Sequence, residues 1–137
     1  MLYATYCILA SMAEKIRQFG DLTVWQKAHQ MVLQVYRITG SFPAEERFGL
    51  TSQMRRAAVS VPANLAEGFK KRGVRDKLNF YNIAQGSLEE LRYYLILSKD
   101  LGYMPDNREM VESTEEIARM LHGLTRSVAN GTRITSQ

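Results

Sequence analysis

Between Leu50 and Lys71 the chain carries Gln53, Arg55, Arg56, Ser60, Asn64 and Glu67, and a run of cations follows: Lys70, Lys71, Arg72, Arg75 and Lys77. Two kinds of chemistry suit these residue types. Crowded guanidinium and ammonium groups can hold phosphate oxygens. Hydroxyl, amide and charged groups at helical spacing can form a polar network that fixes one helix against the next. The charge is concentrated here: residues 45–77 hold eight Lys/Arg against four Asp/Glu, which equals the whole net charge of +4. Two accounts of the basic run stand side by side. It can contact phosphates, or it can be a solvated loop whose cations suit the negative end of a helix dipole. No aromatic platform is interleaved with it, so backbone contact is indicated rather than base readout.

The network reading starts from a hairpin centred on residues 70–74. In an antiparallel helix pair, residues equidistant from the turn face each other. Arg56 lies about as far before the turn as Glu90 lies after it. An Arg56–Glu90 pair, with Ser60, Asn64, Glu67 and Ser87 satisfying neighbouring groups, would fix the register. Such a pair adds little net stability, but a buried charge stranded by wrong pairing costs about 3–5 kcal/mol. The alternative is a solvated polar face with no network.

Other chemistries find little support. A di-iron bundle needs inward glutamates and a Glu-x-x-His pair on facing helices, whereas Glu116 is six residues from His122 and no Glu-x-x-His occurs. His29 and His122 each stand alone and read as partly buried, hydrogen-bonded side chains. Ser60, Ser87 and Cys7 have no histidine at a telling spacing, and there is no Gly-rich phosphate loop. No metal, no cofactor and no enzymatic activity are expected.

The elements that must position these residues are helices. The chain's 137 residues suit one domain with a proper core. Val24, Ala28, Met31, Val35 and Ile38 predict a helix over 22–39, capped by Asp21 or Thr23 and stopped by Gly40. Trp25, Val32 and Tyr36 add a second stripe, which suggests burial on two sides. Leu50, Met54, Ala57, Ala58, Val61, Leu65 and Phe69 predict the second helix, kinked at Pro62 and ended by Gly73. Thr51 can cap it if residues 44–49 form a separate turn. Leu78, Tyr81, Ala84, Leu88, Leu91 and Leu95 predict a third helix over 74–101, with a partly apolar neighbouring stripe at Phe80, Ile83, Ser87, Tyr94 and Leu97 and a stop at Gly102. Asp106 or Asn107 caps the fourth, whose Met110, Thr114, Ile117, Leu121, Leu124 and Val128 keep a seven-residue repeat until Gly131. No strand pattern competes. The expected fold is all-α: an antiparallel up-down-up-down four-helix bundle over 19–130, oligomeric on the evidence of its wide apolar arcs, with a polar tail at 131–137.

Residues 1–18 form an N-terminal extension, read as disordered in its first dozen residues or as a helical extension packing on a neighbour. It lacks the positive n-region of a secretory signal, and Met12 opens a more ordinary beginning. Cys7 is the only cysteine, so no internal disulfide can form and a reducing cytoplasm is the natural setting. No apolar run is long enough to span a bilayer.

The residues Phe19-x-Asp21-Leu22-x-Val24-Trp25-x-x-Ala28, Phe42-Pro43-x-Glu45, Gln53-x-Arg55-Arg56-Ala57-x-x-Ser60-x-x-x-Asn64-x-x-Glu67-Gly68, Ala84-x-Gly86-Ser87-x-x-Glu90-Leu91 and Leu101-Gly102-Tyr103 carry a resemblance. In these motifs, spread over residues 19–125, the sequence resembles the bacterial four-helix bundle proteins also called 23S rRNA intervening-sequence proteins. The resemblance implies a homopentameric ring with a central opening. The family is similar to the accessory variability determinant of diversity-generating retroelements, a basic pentamer that works with a reverse transcriptase and nucleic acid. The expected function is therefore non-enzymatic binding of RNA or DNA by a homo-oligomer, with Arg55, Arg56, Lys70, Lys71, Arg72, Arg75 and Lys77 as phosphate contacts. The alternative is a structural or adaptor ring whose partner is a protein such as a reverse transcriptase.

Overall fold

Every described element is helical, as the periodicity predicts. The structure, a computed structural model, describes residues 16–135. Helices α1 (Thr23–Thr39), α2 (Leu50–Lys70), α3 (Val74–Asp100) and α4 (Arg108–Thr135) are joined by short connections, with single 3-10 turns at Phe19–Asp21 and Ala44–Glu46. Each helix packs on its sequence neighbour, α1 also packs on α4, and the α2–α3 hairpin is the most extensive contact. That is an antiparallel up-down-up-down bundle. The expectations for residues 1–15 lie outside the described residues. Among the described residues no helix is long and apolar enough to cross a membrane.

The core is filled by the predicted stripes. Ala28, Met31 and Val35 of α1 meet Met54, Ala58, Val61 and Leu65 of α2; Tyr81, Leu88, Leu91 and Leu95 of α3 and Ile117 and Leu121 of α4 complete it. Thr114, on the same heptad stripe, is fully buried and keeps its hydroxyl satisfied by donating to the Val111 carbonyl at 2.7 Å. The second stripe of α1 divides. Val32 is buried and Trp25 half-buried, but Tyr36 keeps 45% of its surface exposed. Ile83 on α3 behaves like Tyr36, and Leu33, Val59, Tyr93 and Ile96 add further exposed apolar surface.

Several helix ends differ from expectation. Leu22, not Asp21 or Thr23, is the N-cap residue of α1, and it makes no side-chain cap bond. Asp21 is already engaged: its Oδ2 accepts from the Arg17 and Gln18 amides and closes the preceding turn. Likewise Gly49 precedes α2, and Thr51 is buried in its first turn rather than capping it. Helix α2 runs on through Pro62, whose ring is buried. At the far end α4 continues past Gly131 to Thr135. Glycine in a helix costs only about 1 kcal/mol relative to alanine, which does not terminate a helix by itself. Gly102, by contrast, is a true stop. It adopts φ 80°, a left-handed conformation that favours glycine, and its amide donates to the Lys99 carbonyl. Asp106 then receives the Arg108 amide at 3.1 Å and pairs with the Arg108 guanidinium. The pairing holds its carboxyl down at about 2.

The α2–α3 packing is closest at Gly68. A Cβ there would lie 2.6 Å from Cε1 of Tyr81 and 3.1 Å from Cβ of Phe80. Tyr81 is fully buried, so its ring has no free space into which to retreat. Gly68→Ala therefore lowers stability by about 1–3 kcal/mol through overpacking, despite alanine's better helix propensity. Chemical denaturation of the variant checks this, and an unchanged midpoint would disprove the tight approach.

Candidate functional site

Helix α2 carries Arg55, Arg56 and Lys70; Lys71 and Arg72 follow in the turn, and Arg75 and Lys77 open α3, so the length of α2 divides the candidate cations between the two ends of the bundle. Arg55 stands in the second turn of α2 and Lys70 at its end. Fifteen residues of helix separate them by about 22 Å at 1.5 Å per residue. The two groups form separate surfaces.

At the first surface, α2 lies against the C-terminal end of α1. Arg55 Nε donates to the Thr39 hydroxyl at 2.9 Å, and its Nη2 donates to the Tyr36 carbonyl at 3.4 Å. Its guanidinium lies 4.6 Å from the centroid of the Tyr36 ring. The Thr39 hydroxyl passes the chain on, donating to the Val35 carbonyl. Arg55 is thus anchored on the last turn of α1 through one hydroxyl and one carbonyl, at a helix end that favours a cation. Arg56 beside it is exposed. Both line an open groove of about 560 Å³ together with Arg47, Phe48 and Tyr36. Arg47 and Phe48 were not in the sequence-based site. They sit in the connection before α2, where Arg47 rests over the Phe48 ring at 5.6 Å. The one available signal was a large aromatic residue beside an arginine in a short polar connection.

The second surface is the α2–α3 hairpin. Lys70, Lys71, Arg72 and Arg75 are exposed there. Among the described residues none of the four enters an ion pair. Lys77 departs from the expectation. It is partly buried, and its Nζ donates to the Phe69 carbonyl at 2.7 Å and the Gly68 carbonyl at 3.2 Å. It caps the end of α2, and burial pushes its ammonium pKa down. Two of its three N–H donors are used inside the protein. The aromatic reading also needs correction. Lys71 lies 5.2 Å from the Phe80 ring centroid and Lys77 5.5 Å from that of Phe69. These rings come from helix positions flanking the basic run, so the run alone did not reveal them.

The polar network is smaller than expected. The Ser60 and Ser87 hydroxyls bond across the α2–α3 interface at 2.8 Å. Asn64 Nδ2 donates to the Ser60 hydroxyl at 2.9 Å and to the Ser60 carbonyl at 2.7 Å. Arg56 and Glu90 share a shallow cleft with Ser60 and Ser87 but form no ion pair. Both are exposed, so each is solvated where it stands and gains little by pairing. Glu90 instead accepts from the Tyr94 hydroxyl, which pushes the Tyr94 pKa up. Glu67 is exposed and makes no bond to this group. His29 stacks on Trp25, with ring centroids 5.2 Å apart, while His122 is exposed rather than partly buried. No cluster of metal-ligating side chains occurs among the described residues.

Comparison with known proteins places this arrangement. The family model for the 23S rRNA-intervening sequence protein matches residues 20–123, and the chain belongs to that family. A solved structure from Bacteroides thetaiotaomicron VPI-5482, described as a protein of unknown function from the S23 ribosomal protein family, is similar to it with a TM-score of 0.67 and 21% identity. The match covers 75% of this chain and 98% of that one; at this identity the likeness establishes the fold. No curated protein matches the chain.

Two outcomes follow from the geometry. Removing either hydroxyl of the Ser60–Ser87 pair, as Ser60→Ala or Ser87→Ala, costs about 1 kcal/mol. The double variant costs less than the sum, and a double-mutant cycle of denaturation midpoints reads that coupling; strict additivity would show the bond contributes nothing. Lys77→Ala lowers the melting temperature by stripping the Phe69 carbonyl of its donor at the end of α2 and leaving the Gly68 carbonyl with the Lys71 amide alone. Hydrogen exchange at the α2–α3 junction checks it, and unaltered protection there would mean the cap is unimportant.

Proposed function

We propose that this member of the 23S rRNA-intervening sequence protein family is a non-enzymatic homo-oligomer that binds RNA or DNA through backbone phosphates with low sequence specificity. The observation that carries the reading is the α2–α3 hairpin. Lys70, Lys71, Arg72 and Arg75 are crowded at one end of the bundle, exposed, and outside every ion pair among the described residues. Elsewhere Lys27, Arg92 and Arg108 are paired with carboxylates 2.8–3.8 Å away. The hairpin therefore keeps its positive potential for an outside anion. Lys77 belongs to the scaffold, and Arg55 is partly committed to α1.

Four cations per chain give modest affinity, and repetition raises it. A pentamer presents the hairpin five times, so once one copy has bound the others meet the same strand at high effective concentration. The exposed Leu33, Val59, Ile83, Tyr93 and Ile96 support self-association, since they supply apolar surface that the single chain leaves uncovered. A cytoplasmic setting agrees with the lone Cys7.

The test is anisotropy of labelled RNA and DNA, with protein of known mass, at low and moderate salt. Binding weakens as salt rises, with a slope in log K against log salt of about 0.9 per phosphate contacted on a duplex. Charge reversal of Lys70, Lys71 and Arg72 together weakens binding about tenfold or more and flattens that slope, while the helical circular dichroism and melting temperature hold. Unchanged affinity in that variant would defeat the proposal. Absence of binding by an assembled oligomer at low salt would favour the adaptor reading, in which a protein such as a reverse transcriptase is the partner.

A further inference from the structure

We infer that the groove at the α1–α2 end is a second nucleic-acid site, one that takes an unpaired base together with its phosphate and so gives the protein a preference for single strands. The inference rests on the phosphate-binding reading above but uses a different surface. Phe48 is the observation that carries it. Its ring is 89% exposed, the most of any large apolar side chain among the described residues. It stands in the connection between the Ala44–Glu46 turn and α2, and it borders the open groove. A phenyl ring left in water beside a groove is a stacking platform for any base, because every base has a π-face.

The rest of the groove supplies what a nucleotide's other half requires. Arg47, Arg55 and Arg56 line it, none of them enters an ion pair, and no carboxylate is among the lining residues. Arg55 is held by Thr39 and Tyr36 through Nε and Nη2, which leaves Nη1 free of protein hydrogen bonds and fixed in place. A guanidinium anchored in this way loses little freedom when it meets a phosphate. Arg56 is exposed beside it, and the Ser52 side chain on the same wall can donate to a phosphate oxygen. Tyr36, 45% exposed, is a second ring in the groove lining, with the Arg55 guanidinium over it. The groove volume of about 560 Å³ accommodates a group of drug or nucleotide size.

A duplex offers phosphates but keeps its bases stacked on one another. It can engage the hairpin cations and cannot use Phe48. A single strand can use both ends of the bundle. Discrimination between the two therefore resides in one side chain, which makes it separable from overall affinity.

The experiment compares anisotropy of labelled oligo(dT) and of a duplex of equal length, using full-length protein. The variants are Phe48→Ala, Phe48→Tyr and the hairpin charge reversal, each with its mass fixed by light scattering. Phe48→Ala is expected to weaken oligo(dT) binding about tenfold, the size of one lost stacking contact, with duplex binding unchanged. Phe48→Tyr is expected to retain the preference. Equal binding of oligo(dT) by Phe48→Ala and the unaltered protein would overturn the inference. If the hairpin reversal still abolished binding in that case, phosphate binding would stand without the stacking site; if it did not, both readings would fall. A changed oligomeric mass in Phe48→Ala would also overturn it, since the ring would then be covered by a second copy. Loss of poly-glutamate binding in that variant, with oligo(dT) unaffected, would assign the groove to an acidic protein and overturn it too.

Discussion

Helices α2 and α3 are pressed tightly together at Gly68, where the missing Cβ leaves room for the Tyr81 ring. Much of the surface chemistry depends on that constraint. With the two helices pressed together, the Gly68 and Phe69 carbonyls at the end of α2 come within reach of Lys77, one turn into α3. Lys77 satisfies the Phe69 carbonyl and shares the Gly68 carbonyl with the Lys71 amide, and so closes the end of α2. The chain must then reverse within residues 71–73, and Lys71, Arg72 and Gly73 have no room to bury anything. The cations are exposed because the hairpin is tight, and the hairpin is tight because a glycine faces a buried tyrosine.

The two basic surfaces differ in kind. Arg55 is planar, hydrogen-bonded at two nitrogens and stacked on Tyr36. It offers a fixed direction, which suits an oriented contact with one anion. Lys70, Lys71 and Arg72 are long, exposed and unpaired, and they offer charge with little direction. Diffuse charge suits a polyanion whose phosphates slide past, since each neutralised phosphate releases its counterion wherever it is met. One helix thus presents an oriented site near its start and an electrostatic one at its end, and the stiffness of α2 keeps them about 22 Å apart.

The fold was legible in the sequence because apolar spacing depends on burial, and burial is a local pattern repeated turn after turn. Val24, Ala28, Met31 and Val35, or Leu88, Leu91 and Leu95, could be placed on the core side without knowing what they touch. Helix ends were less legible. The Asp21 carboxylate takes two backbone amides on its N-terminal side rather than those of α1, a choice set by the turn before it. The site was legible in composition and not in partnership. Ser60 and Ser87 meet because side chains of their size reach across the interface, whereas Arg56 and Glu90 have the right register but lie in water, where pairing gains little. Lys77 read as one more cation of a run; only the geometry of the turn shows that its ammonium points inward.

The exposed apolar side chains bear on how these surfaces act together. Leu33 lies on α1, and Ile83, Tyr93 and Ile96 lie along α3. Apolar positions at helical spacing that the bundle's own core does not use are costly to leave in water, at about 25 cal/mol per Å². If neighbouring copies cover them, each copy's hairpin is set in a fixed relation to the next. The entropy of bringing the cations together is then met by apolar burial in the ring rather than by the nucleic acid at the moment of binding. In the proposed ring that division of labour would let a chain with a net charge of only +4 suffice. Charge concentrated at one end of each subunit and repeated would achieve what a higher total charge does, without the self-repulsion that excess charge imposes on a compact fold.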